Sequence, residues 1–259
     1  MMEQTAQPEL PNIVTFLAGR LSGTPWAKFL YLWENVIFSL IIVFILSLVA
    51  YLASRKTRLI PQGLQNAVEA VVEMMDDFAR GILGEKGRKY TPFIGTLFIY
   101  ILFMNLFGLV PFMKSPTASW STTLALSICV FLYVQYTAVR ELGFLGYIDH
   151  LAGKPRGVLA FSAVLPVMMF LLHVISEIIK PISLSLRLRS NVWGDDVLLA
   201  VLSGFGLTGV PLLFFNMVLA VLTAVVQAVV FSLLTTIYFA LVLTHDEKTS
   251  QNKEVISGR

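Results

Sequence analysis

Apolar residues run through this chain in long blocks, and the polar residues between them gather in short clusters. The first block, 29–53, exceeds the roughly 20 residues a helix needs to cross a bilayer, and it ends at Arg55, Lys56 and Arg58. Between 64 and 82 the pattern changes. Leu64, Val68, Val71, Met75, Phe78 and Ile82 recur at three- and four-residue steps, while Asn66, Glu69, Glu73, Asp76, Asp77 and Arg80 take the other face. That spacing predicts an amphipathic helix lying on the membrane surface. Its polar face is mainly acidic, which favours docking against protein over attraction to anionic lipid. Residues 92–113 predict a second crossing and 121–138 a third, together a helical hairpin over 92–138 whose connection carries Lys114 as its single charge.

The next block, 158–203, is far longer than a crossing requires and fits a bilayer only when strongly tilted. Pro181 within it is compatible with a continuous membrane helix where neighbours satisfy the freed carbonyl. Gly204, Gly206, Gly209 and Pro211 mark a turn, a last long helix follows over 212–243, and 245–259 is a charged tail. The expectation is an all-α, polytopic membrane protein. It has five crossings plus one amphipathic surface helix, and its last two helices, 158–243, are long and tilted. No internal repeat and no soluble insert divides it, so 1–259 is read as a single membrane domain with 1–28 as a polar amino-terminal segment.

Composition sharpens this reading. The 259 residues are 56% hydrophobic and 14% charged, against about 25% charged in soluble domains, which excludes a soluble globular fold. The net charge of +3 is spread by topology and not gathered into a basic face, so nucleic acid is not an expected partner. Arg55, Lys56, Arg58, Arg80, Lys86, Arg88 and Lys89 share one side with Arg140, Lys154 and Arg156. The positive-inside rule makes that side cytoplasmic, with the amino terminus outside and the carboxyl terminus inside. Trp26 and Trp33 stand where interfacial aromatics are expected. Residues 1–11 lack the basic region of a cleaved signal, so the first span is expected to act as its own insertion signal. The one cysteine, Cys129, builds no disulfide framework.

Candidate chemistry lies between 173 and 196, where ionisable residues sit inside apolar sequence. Such residues at bilayer depth are costly and point to a functional site. On a helical wheel, His173, Ser176, Lys180, Ser183, Asn191 and Gly194 lie within about 40° of Arg187, and Glu177 and Asp195 lie near about 80°. Arg189 and Asp196 fall on the opposite face. A packing face of small and polar residues is one reading of the stripe, but packing needs no guanidinium. An ion path with a fixed positive charge is the other. With a rise of about 1.5 Å per residue, Glu177 and Asp196 lie roughly 15 Å and 13 Å to either side of Arg187, one for each side of the membrane. In the last helix Asn216, Thr223 and Gln227 share a face with Ala220 between them. Asn105 stands mid-span, a position that more often serves as interhelical glue.

No phosphate-binding loop, zinc-protease helix or nucleophile motif is present, so the chain is not expected to catalyse a reaction alone and no cofactor is expected. His173 and Glu177 are too few for a metal site, and none is expected; a proton relay suits them better. A stand-alone secondary transporter binding an anionic substrate and a structural assembly subunit are the competing classes.

The run Ser183-Leu184-Ser185-Leu186-Arg187-Leu188-Arg189-Ser190-Asn191-Val192 resembles the signature of the subunit a family of F-type ATP synthases. Ile60-Pro61-Gln62-Gly63-Leu64-Gln65-Asn66-Ala67-Val68-Glu69, Phe103-Met104-Asn105-Leu106-Phe107-Gly108-Leu109-Val110-Pro111 and Gln227 extend the resemblance over about residues 30–244. It implies a stator ion-channel subunit of a rotary ATP synthase in the bacterial cytoplasmic (inner) membrane. Its partners would be the c-ring proteolipid subunits, the peripheral-stalk b subunits and the lipid bilayer. Arg187 would be the central ion-gating arginine. An outer half-channel would be lined by Asn105, Asn191, Asp195, Asp196 and Gln227, and an inner one by His173, Ser176 and Glu177. Two positions depart from the family pattern. Arg189 stands where phenylalanine is usual, and Ala220 replaces a polar outer-channel residue.

Overall fold

The structure, a computed structural model, describes residues 14–15, 20, 29–30, 32–55, 63–110, 113–143 and 164–257. Most of the expected amino-terminal segment, the cations Lys56, Arg58, Lys154 and Arg156, and the expected start of the fourth element at 158–163 lie outside the described residues. Within them are six α-helices and three short 3-10 turns, with no strand. They are α1 (Glu34–Ser54), α2 (Leu64–Leu83), α3 (Thr91–Phe107), α4 (Trp120–Leu142), α5 (Val164–Ser203) and α6 (Val210–Ser257).

Four of these, α1, α4, α5 and α6, contain stretches long and apolar enough to span a bilayer, and α3 is a shorter apolar helix. The fold is therefore that of an all-helical polytopic membrane protein. α2 is the amphipathic exception, bounded by Gly63 at φ 62° and Gly84 at φ 66°, conformations that glycine adopts without a Cβ penalty. It lies against α1, α3 and α6 and buries Met75 and Ala79 while Glu69, Glu73 and Asp77 stay exposed. Asp76 pairs with Arg80 at 2.7 Å and accepts a 2.9 Å bond from Thr91, which ties α2 to the start of α3.

Element bounds differ from the expected ones for local reasons. α1 is bounded at Glu34, with Phe29, Leu30 and Leu32 also helical ahead of it, and Glu34 is buried and paired with Lys114 at 3.6 Å. α3 stops at Phe107, short of 113, because the chain folds back at Gly108. A Cβ there would sit 2.7 Å from the Cβ of Ser115, so only glycine permits the approach. The return places Ser115 Oγ 2.9 Å from the Met104 carbonyl and Thr117 Oγ1 2.8 Å from Asn105 Oδ1. α6 continues as helix through the charged tail to Ser257. α5, at 40 residues with Pro181 inside it, is about 60 Å long, about twice the thickness of the hydrocarbon core. Only tilt reconciles those lengths.

The two arms of the hairpin do not simply pack on each other. α3 packs most extensively on α6, α4 packs on α5 and α6, and α6 runs between them. Phe239 of α6, fully buried, meets Tyr90, Phe93 and Tyr133 at ring-centroid distances of 4.7, 6.1 and 5.5 Å. At the same end Lys89 pairs with Glu141 at 3.0 Å, and the hydrogen bond it donates to that carboxylate raises the Lys89 ammonium above the ordinary lysine value. The Lys89–Glu141 and Lys114–Glu34 pairs thus mark opposite ends of the hairpin.

Replacing Phe239 by alanine is expected to cost up to about 3–5 kcal/mol, because three aromatic rings lose their common partner. Phe44→Ala, on the exposed face of α1, is expected to change little. Thermal unfolding of the detergent-solubilised chain compares the two; equal midpoints would contradict this account of the core.

Candidate functional site

Helix α5 presents its polar stripe along the edge of an open apolar face. Leu184, Ser185, Leu188 and Val192 are buried against the bundle, and the Ser185 hydroxyl donates to Thr123 Oγ1 of α4 at 3.2 Å. Ile178, Ile179, Ile182 and Leu186 are exposed. Arg187 is exposed beside them, and no hydrogen bond or ion pair among the described residues engages its guanidinium. Arg189 is fixed quite differently. Its Nε donates to the Ala118 carbonyl at 3.2 Å, and its guanidinium lies 4.5 Å from the Trp120 ring centroid. Two residues of helix turn the two arginines about 160° apart, so one is held by the bundle and the other is left on its surface.

Toward the end of the bundle that holds the Pro116–Ala118 and Gly206–Gly209 turns, a cavity of about 30 Å³ opens between α3, α5 and α6. Asn105, Asn191, Asp195, Asp196 and Gln227 all line it. Asp195 and Asp196 reach it together with Asn191, Val192 and Leu199 from one flank of α5. Asn191 Nδ2 donates to Gln227 Oε1 at 2.7 Å and joins α5 to α6. Asn105 is oriented by Thr117, whose hydroxyl also contacts Ser115 at 2.6 Å. The cavity also takes in Asn216, Thr223 and Ala220. A space of about 10–15 Å³ suffices for one water, so this one accommodates about two.

A second, smaller cavity of about 10 Å³ lies on the other side of Arg187 along α5, lined by Glu177, Lys180, Pro181, Ser127 and Tyr238 among others. Glu177 accepts a 2.7 Å bond from Gln135 Nε2 and forms an ion pair with Lys180. The Lys180 ammonium in turn lies 5.2 Å from the Tyr238 ring centroid. The inner trio expected from sequence is not brought together around this space. His173 is half-buried with its Nδ1 2.8 Å from the Met169 carbonyl, and Ser176 is exposed.

Several side chains at these two places were not singled out from sequence as site residues: Gln135, Lys180 and Tyr238 at one, Ser115, Thr117 and Asn216 at the other. Lys180 and Asn216 do carry a sequence signal, since each shares a helical face with residues that were singled out. Gln135 and Tyr238 carry none, because they arrive from other helices through tertiary packing.

Comparison with known proteins adds a separate line. Residues 36–240 match the family model described as ATP synthase A chain. A protein of Protochlamydia amoebophila (strain UWE25) named ATP synthase subunit a is 44% identical over 243 residues, covering 90% of this chain and 89% of that one. Proteins of the same name from Helicobacter pylori (strain Shi470) and Helicobacter acinonychis (strain Sheeba) are 38% and 37% identical over 213 residues, each covering 82% of this chain and 89% of the relative.

The different settings of the two arginines make a stability prediction. Arg189→Ala removes a hydrogen bond and a cation–π contact and is expected to destabilise the solubilised chain by about 1–3 kcal/mol. Arg187→Ala is expected to leave stability unchanged. Thermal melts of both variants check this, and a larger loss for Arg187→Ala would refute it.

Proposed function

The chain belongs to the ATP synthase A chain family, and from that premise we propose that it is the stator subunit that conducts protons to and from a ring of proteolipid c subunits, with Arg187 between two offset half-channels. The observation that carries this reading is an arginine without a hydrogen-bond or ion-pair partner among the described residues, on an exposed apolar helix face, with a cavity to either side of it along the same helix, the larger one lined by amides and carboxylates and the smaller, mostly apolar one reached by Glu177 and Lys180.

The physics is that of a charge in lipid. A ring carboxylate that faces hydrocarbon must be neutral, because the ionised form is expensive there. Arg187 favours the ionised form of whichever carboxylate comes opposite it, so the proton must leave into one half-channel before the carboxylate passes. The same fixed positive charge opposes direct leakage of protons between the half-channels. Arginine suits the role better than lysine, since the guanidinium keeps its proton when desolvated and presents a planar fork to a carboxylate.

In this reading the cavity with Asn105, Asn191, Asp195, Asp196 and Gln227 serves the outer side. Glu177, with His173 and Ser176 on the neighbouring turn of α5, serves the cytoplasmic side. Asp195 and Glu177 are eight and ten residues from Arg187, about 12 Å and 15 Å along the axis. That offset requires ring rotation to join the two paths. The exposed acidic face of α2 is the docking surface for the peripheral-stalk b subunits, and the membrane is the bacterial cytoplasmic one with the amino terminus outside.

In inverted membrane vesicles, Arg187→Ala and Arg187→Lys are both expected to abolish ATP-driven proton pumping while the assembled complex remains in normal amount. Pumping at the parent rate by either variant would end this assignment. For the inner path, Glu177→Gln is expected to slow coupled ATP synthesis by about tenfold or more, whereas Glu85→Gln, at an exposed position outside the spans, leaves it unchanged. Equal rates for the two would remove Glu177 from the path.

A further inference from the structure

The larger cavity contains a residue that the proposed proton path has not used. Asn216 of α6 is 2% exposed, and neither its Nδ2 nor its Oδ1 has a hydrogen-bond partner within the protein. Leaving a buried amide unpaired costs about 1–3 kcal/mol for each group, so native structures supply such groups with water. This cavity has both the room and the other partners. Asn105 Nδ2 and Gln227 Nε2, also buried and lining it, are likewise without protein partners. Three amides therefore converge on one space of about 30 Å³ beside Asp195 and Asp196.

The position along α6 matters as much as the burial. Asn216 and Gln227 are eleven residues, or about 16 Å, apart. Between them the cavity wall on α6 is Ala220, Thr223 and Ala224, which offers no ionisable group. A proton crossing this interval has to be carried by water, and the water must be held in line by groups that donate and accept without ionising. An amide with both atoms free does that.

We propose that Asn216 is a positioning residue of the outer proton path, anchoring a short water cluster that links it to Asp195 across the space left by Ala220. Each water accepts one proton and passes on another, the carboxylate takes up the last one, and no group on α6 changes charge. The inference rests on the stator reading above.

The test uses inverted vesicles carrying the full complex, with passive proton conductance measured after the water-soluble ATPase sector is removed and ATP-driven pumping measured before. Asn216→Leu is expected to lower both by about tenfold, the equivalent of losing one hydrogen bond at the rate-limiting transfer. Asn216→Ser keeps a donor and an acceptor and is expected to stay near the parent. Adding Ala220→Asn to Asn216→Leu returns an amide to the cavity one turn away and is expected to restore conductance, which a packing defect would not allow. Parent-like conductance in Asn216→Leu overturns the inference, and so does a loss that neither Asn216→Ser avoids nor Ala220→Asn repairs. Should Asn216→Leu fail to assemble, Ala220→Leu fills the same space while keeping Asn216: a comparable loss supports the water path, and parent-like conductance overturns it. Arg187→Ala separates the two levels. If that variant still pumps, the stator reading fails; if it does not pump and Asn216→Leu conducts normally, only the role of Asn216 fails.

Discussion

A guanidinium without a partner on an apolar helix face is not a stable end state in a bilayer. In the proposed stator role, the cost of leaving Arg187 there is offset by a carboxylate that comes to it from outside the chain. Much of the surrounding structure keeps the residue in that condition. Leu184, Leu188 and Val192 fix the rotation of α5 about its axis by burying its opposite flank. The acids on the same helix are engaged or offset: Glu177 is held by Gln135 and Lys180, and Asp195 and Asp196 stand more than two turns away. Arg189, the other candidate to meet an incoming carboxylate, is already committed to Ala118 and Trp120. Among the described residues of α5 one cation is left available, and its position along the helix is set by packing.

The polar residues elsewhere follow the same logic of satisfaction at depth. Backbone and side-chain groups in lipid must find partners inside the protein or in enclosed water. The fold-back at Gly108 supplies Ser115 and Thr117 to Met104 and Asn105. The Asn191–Gln227 bond ties the two long helices together. Where direct pairing stops, at Asn216 and at the free amide nitrogens of Asn105 and Gln227, there is a cavity. Unpaired polar atoms and open space coincide, which is what a hydrated path requires and what a dry packing interface would not retain.

Tertiary structure changes the meaning of the helical wheel. The wheel places Asp195 and Asp196 about 100° apart and leaves open which of them faces a channel. In the folded chain both line one cavity, Asp195 half-buried and Asp196 exposed at its edge. The inner trio shows the reverse. His173, Ser176 and Glu177 lie within about 100° on the wheel, yet only Glu177 reaches the small cavity, since α4 covers just part of that arc.

By itself the sequence determined that this is an all-helical membrane protein, where most of its helices run, and that Arg187 and Arg189 cannot serve the same face. Those properties follow from hydrophobic run length and from the fixed angle between neighbouring residues on a helix, which act locally. The similarity of residues 183–192 to a known family was legible for the same reason, as a contiguous string. Only the tertiary structure decided that α6 runs between the arms of the 92–138 hairpin, that Gln135 and Tyr238 join Glu177 and Lys180, and that Asn216 faces the cavity unpaired. Each of these depends on how helices distant in sequence are set against one another. In a bilayer the apolar surface alone does not dictate that choice, because lipid is as good a partner for leucine as another helix is. The close contacts of small and polar residues decide it, and they exist only once the helices have met.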